Sequence, residues 1–184
     1  MVQPYRCTKE KPMSSQDRIE KQIVLNAPIA RVWHAITDST EFGTWFGVKL
    51  HQPFAPGRKI TGKFEGDFDE AKIRAYQASL GLEPTGIRPL TPNYVFCTVE
   101  RMEEPHLFSF RWIPYGIDIE CDPETETPTL VEFRLAPDGA GTRLTIVESG
   151  FEQVPEHRRQ RAFLMNTGGW SAQIENVKRH VEQG

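Results

Sequence analysis

The chain has 184 residues, of which 38% are apolar and 26% charged, and its formal net charge is -3. That length suits one domain with a sizeable core, removing roughly 70% of the unfolded chain's surface from water, and the balanced charge argues against nucleic acid as a partner. No run approaches the ~18 consecutive apolar residues of a membrane span and the N-terminus has no apolar signal core, so a cytoplasmic protein without stable membrane insertion is expected.

Residues Met1 to Asp17 are polar, contain two prolines and follow neither the helical nor the strand period. They are expected to form a mobile arm, and Met13, just before the first periodic segment, is an alternative start. The domain proper is expected over residues 18–184. Arg18 to Asn26 alternates, with Ile19, Ile23 and Leu25 on one side, and reads as a half-buried strand. In APIARVWHAITD, Pro28 fits the first turn of a helix and Ile29, Val32, Trp33 and Ile36 form one apolar face. His34 falls beside that face and is expected to be half-exposed. Asp38 followed by Glu41 predicts a second, short helix carrying Phe42, Trp45 and Phe46.

The strand period returns in VKLHQ and, after the turn APGRK, in KITGKFEG, where Ile60 and Phe64 stand two positions either side of Gly62. These two segments predict a hairpin. The stretch Asp67 to Asn93 breaks the pattern with a helix-like DEAKIRAYQASLGL and a proline-bearing loop, and reads as an insertion. Four strands follow, over Tyr94–Glu103, His106–Ile113, Leu130–Ala136 and Thr142–Glu148. Parity gives their inward sets as Phe108, Phe110 and Trp112; Val131, Phe133 and Leu135; Leu144, Ile146 and Glu148. One carboxylate therefore falls on an apolar face.

Such a carboxylate is costly to desolvate unless it is paired with an arginine, protonated or turned toward a wet cavity. Arg111 and Arg134 have the outward parity of their strands, which weakens the pairing alternative. Glu156 to Glu182 closes the chain as a helix behind Pro155. Within it Trp170, Ile174, Val177 and Val181 make one stripe, with Gly168 and Gly169 just ahead of it. Either these glycines divide two helices, or they let one helix bend or approach the sheet or a cap helix closely. The element order predicts an α+β fold, an antiparallel sheet with one face covered by the terminal helix.

Motifs for chemistry are sparse. The sequence contains no GxxxxGK[ST], HExxH or GxSxG, and its histidines lack ligand spacing, so no metal, nucleotide or other cofactor is expected. Cys7, Cys97 and Cys121 are widely spaced without a CxxC pair, and reduced thiols are expected. HRRQR at His157 to Arg161 reads as a solvated helix face with no ligand.

APIARVWHAITDSTEFGTWF after the first strand, PG between the second and third, EEPHLFSFRW, TRLTIVESGFE and NTGGWSAQIENVKRHV, in that order, resemble the activator of Hsp90 ATPase homologue family of the START/Bet v 1-like (SRPBCC) superfamily. The likeness runs from about Arg18 to Val181, and Ser149, Gly150, Phe151, Gly169 and Trp170 stand where the family has its SGF and GW positions. The resemblance implies a helix-grip fold: a curved antiparallel sheet wrapped around a long C-terminal helix, with a cavity between them and two short helices capping one end. The 67–93 insertion and the acidic loop GIDIECDPETET depart from the family pattern. The cavity-lining residues expected are Trp33, Trp45, Phe46, Phe110, Trp112, Phe133, Ile146, Glu148, Trp170 and Ile174.

Three functions follow from that resemblance. The first is non-catalytic binding of a small hydrophobic or amphipathic molecule or lipid in the cavity. The second is a protein-interaction role, since eukaryotic relatives stimulate the Hsp90 ATPase. Those carry a separate N-terminal domain, for which the stretch before Arg18 leaves no room, so co-chaperone activity is not expected. The third is a cyclase- or aromatase-like enzyme in which Glu148 works with a hydroxyl such as that of Tyr94 or Tyr115. Oligomeric state is not readable from the sequence.

Overall fold

The computed structural model describes residues 17–183. Apart from Asp17 the predicted arm, with Cys7 and Met13, lies outside them. The element order is β1 (Arg18–Leu25), α1 (Ile29–Thr37), α2 (Ser39–Phe46), β2 (Val48–Leu50), β3 (Lys59–Phe64), α3 (Glu70–Ser79), β4 (Tyr94–Glu103), β5 (Leu107–Trp112), β6 (Thr129–Asp138), β7 (Gly141–Ser149) and α4 (Glu156–Gln183), with a single 3-10 turn at Phe151–Gln153 before α4. Among the described residues seven strands form one sheet in the order β1-β7-β6-β5-β4-β3-β2, with every neighbouring pair antiparallel. The sheet is open and curved, α4 packs against β1, α1 and α2, and the whole is the expected helix-grip arrangement.

Alternation drives this packing. Val131, Phe133 and Leu135 on β6 and Leu144, Ile146 and Glu148 on β7 are buried, and the register sets Phe133 opposite Ile146 and Val131 opposite Glu148. On α1 the buried set is Val32, Trp33, Ala35 and Ile36, while His34 is exposed. Asp38 starts α2 by accepting hydrogen bonds from the N–H groups of Thr40 and Glu41 at 3.0 and 2.9 Å, and Gly47 ends it with φ +86°.

β2 is shorter than VKLHQ suggested. His51 still donates its N–H to Thr61, but the Gln52 side chain takes the place of a backbone partner, accepting from the Thr61 N–H at 2.7 Å, and Pro53 has no N–H to continue the ladder. Gly62 is required where β2 crosses: a Cβ there would lie 2.8 Å from the Lys49 carbonyl oxygen. α4 runs unbroken for 28 residues through Gly168 and Gly169, so the glycines do not divide two helices.

Candidate functional site

Strand parity turns Glu148 inward, and the helical period of α4 puts Asn166 and Trp170, four residues apart, on the face above it. Its side chain is fully buried. Oε1 accepts from Trp112 Nε1 at 2.7 Å, Thr129 Oγ1 at 2.7 Å and Asn166 Nδ2 at 3.0 Å; Oε2 accepts from Trp170 Nε1 at 2.6 Å and Asn166 Nδ2 at 3.0 Å. All four donors are neutral. Arg111 and Arg134 point outward as expected, paired with Glu100 and Glu132, and no arginine among the described residues pairs with Glu148. Burial pushes the Glu148 carboxyl above its ordinary range, and the four donors only partly oppose that. Thr129 Oγ1 also lies 3.4 Å from the Trp112 carbonyl, so its hydroxyl has a second acceptor when the carboxyl holds a proton.

The ten residues expected to line a cavity all lie in or against the packed core. Trp33, Trp45, Phe110, Phe133, Ile146, Glu148, Trp170 and Ile174 are buried, while Phe46 and Trp112 keep some exposure. The rings pack on one another: Trp112 and Trp170 have centroids 5.3 Å apart, Phe133 and Trp170 5.8 Å, and Phe46 and Trp112 6.1 Å. Trp45 is fixed by donating Nε1 to the Ala35 carbonyl at 2.9 Å. Phe42 stands at the centre, within 4.5 Å of Trp45 and 5.3 Å of Phe54 between centroids. Phe42, Phe96, Thr129 and Asn166 were not among the expected site residues; the i, i+4 spacing of Asn166 to Trp170 was the signal for the last.

Neither tyrosine named for acid–base help touches Glu148. Tyr115 accepts from Gln77 Nε2 through its hydroxyl at 3.0 Å, and its backbone N–H donates to Asn166 Oδ1 at 3.1 Å. Tyr94 packs on Phe64 with centroids 5.6 Å apart, and burial pushes its phenol up to about 12. The 67–93 segment thus reaches the interior through a relay, Gln77 to Tyr115 to Asn166 to Glu148. Gln77 is the buried residue of α3, so this helix is anchored by an amide rather than by an apolar stripe.

α3 also explains the paired glycines. A Cβ on Gly168 would lie 2.2 Å from Tyr76 Oη and 3.1 Å from its Cζ, whereas one on Gly169 would meet nothing within 4 Å. Close approach holds for Gly168, with the partner on α3 rather than on the sheet or a cap helix. Gly169→Ala is expected to stabilise the protein by up to about 1 kcal/mol, raising the melting temperature by roughly 2–4 °C in circular dichroism. Gly168→Ala should gain less because Tyr76 must move; equal gains would show that the contact is unimportant.

The HRRQR cluster departs from the solvated face expected of it. Arg158 is fully buried and Arg161 nearly so. Arg158 binds Glu126 through Nε at 2.8 Å and Nη2 at 2.5 Å and donates to the Pro114 carbonyl at 2.9 Å, while Arg161 pairs with Asp118 at 3.2 Å and with Glu120. The acidic loop that departs from the family pattern is the counterpart of this cluster, folded onto the start of α4. Cys121 sits in the same packing and burial raises its thiol to about 11, while Cys97 is also buried and raised; both thiols are free.

A cleft of about 400 Å³ opens where β3 meets residues 87–92, lined among others by Lys63, Phe64, Phe68, Ile87, Arg88 and Leu90. A second hollow of about 300 Å³, between α2 and β2, is lined by Thr40, Thr44, Lys49 and Glu65 among others and is more polar. Among the described residues no cluster of three or more His, Cys, Asp or Glu side chains is placed to hold a metal ion, and no helix is long and apolar enough to cross a membrane.

Solved structures with this fold include protein MLL2253 from Mesorhizobium loti, with a TM-score of 0.62, 18% identity and coverage of 90% of this chain and 97% of that one. CalU16 from Micromonospora echinospora gives a TM-score of 0.55 at 17% identity, covering 89% of this chain and 75% of the other. The Aha1 dimer from Colwellia psychrerythraea gives 0.59 at 13% identity, covering 90% and 96%. At these identities the likeness is one of fold. No curated protein matches the chain significantly in sequence. The family model for activator of Hsp90 ATPase homolog 1-like protein matches residues 26–182, from the end of β1 almost to the end of α4. The chain belongs to that family.

Proposed function

We propose that this protein binds a small hydrophobic or amphipathic molecule without performing chemistry on it. The observation that carries this reading is the cleft between β3 and residues 87–92, whose volume of about 400 Å³ falls within the roughly 300–1,000 Å³ typical of small-molecule sites. Phe64, Phe68, Ile87 and Leu90 give it apolar walls, and Phe64 packs against the central core, so the cleft is backed by a rigid base. None of the ten interior residues lines this cleft; the apolar ones belong to the core on which Phe64 packs, and so support the cleft from behind. Glu148 fixes the positions of Trp112 and Trp170 rather than transferring a proton, because five hydrogen bonds occupy its two oxygens.

Native mass spectrometry of the isolated protein, followed by thermal-shift titration with fatty acids and phenylalkyl compounds, tests this. A ligand present at a hundred times its Kd adds about 2.7 kcal/mol of stability, which for a domain of this size is a rise of roughly 5–10 °C. Leu90→Asp, which places a charge on the cleft wall, is expected to abolish the shift. No adduct and no stabilisation with any compound would remove the reading.

A further inference from the structure

We infer that the guest of this cleft carries a single carboxylate, which Arg88 holds; the inference rests on the binding function proposed above. Arg88 is the one arginine among the described residues whose guanidinium neither hydrogen-bonds nor ion-pairs within the protein. It is half-buried and lines the cleft. A guanidinium partly withdrawn from water without an acceptor has lost hydration that nothing in the protein returns.

Its backbone, by contrast, is tightly mounted. The Arg88 N–H donates to the Ile117 carbonyl at 2.8 Å, the Ile119 N–H donates to Gly86 at 3.1 Å, and Ile87 pairs with Asp118 in an isolated antiparallel bridge. Asp118 is in turn gripped by Arg161. The strap that carries Arg88 is thus tied to α4 through the acidic loop. A fixed stem with an unengaged head is the arrangement of a preorganised binding group.

The charge of the cleft selects the class of guest. Lys63, exposed and without an ion pair, brings a second cation from β3, and Asp67 is the acid among the lining residues. Two cations and one acid leave a surplus of one positive charge, which suits a monoanion better than a dianionic phosphate ester. The planar guanidinium fork matches a carboxylate in bidentate geometry, while Phe64, Phe68, Ile87 and Leu90 accept an apolar body. The guest class is therefore a small amphipathic monocarboxylate.

Isothermal titration of the full chain with matched pairs, 4-phenylbutyrate against 4-phenylbutanol and octanoate against octanol, tests the assignment. The wild type is expected to bind each acid at least tenfold more tightly than its alcohol. Arg88→Gln should bring the acid down to the alcohol's affinity, leave alcohol binding unchanged and leave the melting temperature within about 2 °C, since no internal partner of the guanidinium is lost. Equal affinity for acid and alcohol in the wild type, or an acid preference that survives in Arg88→Gln, overturns the carboxylate assignment while the cleft stands as a binding site. If neither member of either pair binds and no compound of the wider panel does, both readings fall.

Discussion

Replacing Arg158 with alanine is expected to cost the fold about 3–5 kcal/mol, the range for breaking a buried ion pair from one side, and to lower the melting temperature by about 10 °C. The side chain is completely shielded from water, and Glu126, which it binds, is nearly so at 4% side-chain exposure. Removing the guanidinium strands that carboxylate, leaves the Pro114 carbonyl without its 2.9 Å donor, and removes a cation 3.9 Å from Asp118. Urea unfolding followed by circular dichroism measures the loss. Arg158→Ala combined with Glu126→Ala should recover part of it, because the stranded charge is then gone. A single-variant loss below about 1 kcal/mol, the size of an exposed pair, would show that water reaches this junction.

The second large effect lies at Glu148. Glu148→Ala leaves two indole N–H groups, a hydroxyl and an amide without their shared acceptor, at about 1–3 kcal/mol for each buried donor left unsatisfied, so a loss on the order of 4 kcal/mol or more is expected. Glu148→Gln keeps the volume and isolates the ionisation. Because burial raises the carboxyl above its ordinary 4.5, the folded protein holds the proton more tightly than the unfolded chain does. The stability this adds is complete below about pH 4.5 and is lost as pH rises through the folded-state value. The stability of wild type minus that of Glu148→Gln should therefore fall as pH rises from 4.5, measured by urea unfolding across a pH series. A difference that grows with pH would mean that the neutral donors outweigh the loss of water and keep the carboxylate charged.

The sheet and its inward faces were legible because alternation is a local property: Phe133, Ile146 and Glu148 could be placed from parity alone, and so could the outward aim of Arg111 and Arg134. What Glu148 touches was not legible, because its donors come from β5, β6 and α4 and meet only after the chain has closed. The error over HRRQR has the same root. Arg158 and Arg161 were read from their own neighbours, whereas the carboxylates that receive them lie at 118, 120 and 126, in a loop that also resisted assignment. Two unmatched segments of opposite charge were a hint that each was the other's partner. Close approach at Gly168 was one of two readings open to the sequence, with the sheet or a cap helix as partner; the actual neighbour, Tyr76, belongs to an insertion whose docking rests on one glutamine, and no periodicity announces that.

The two tryptophans above the buried acid have a spectroscopic meaning. Both donate their ring N–H to one carboxylate, from opposite layers of the fold, with their centroids 5.3 Å apart. The excited state of an indole responds to nearby electric fields, so gain or loss of that one proton changes the field at both chromophores together. The molecule thereby carries an unlabelled optical indicator of its own interior charge.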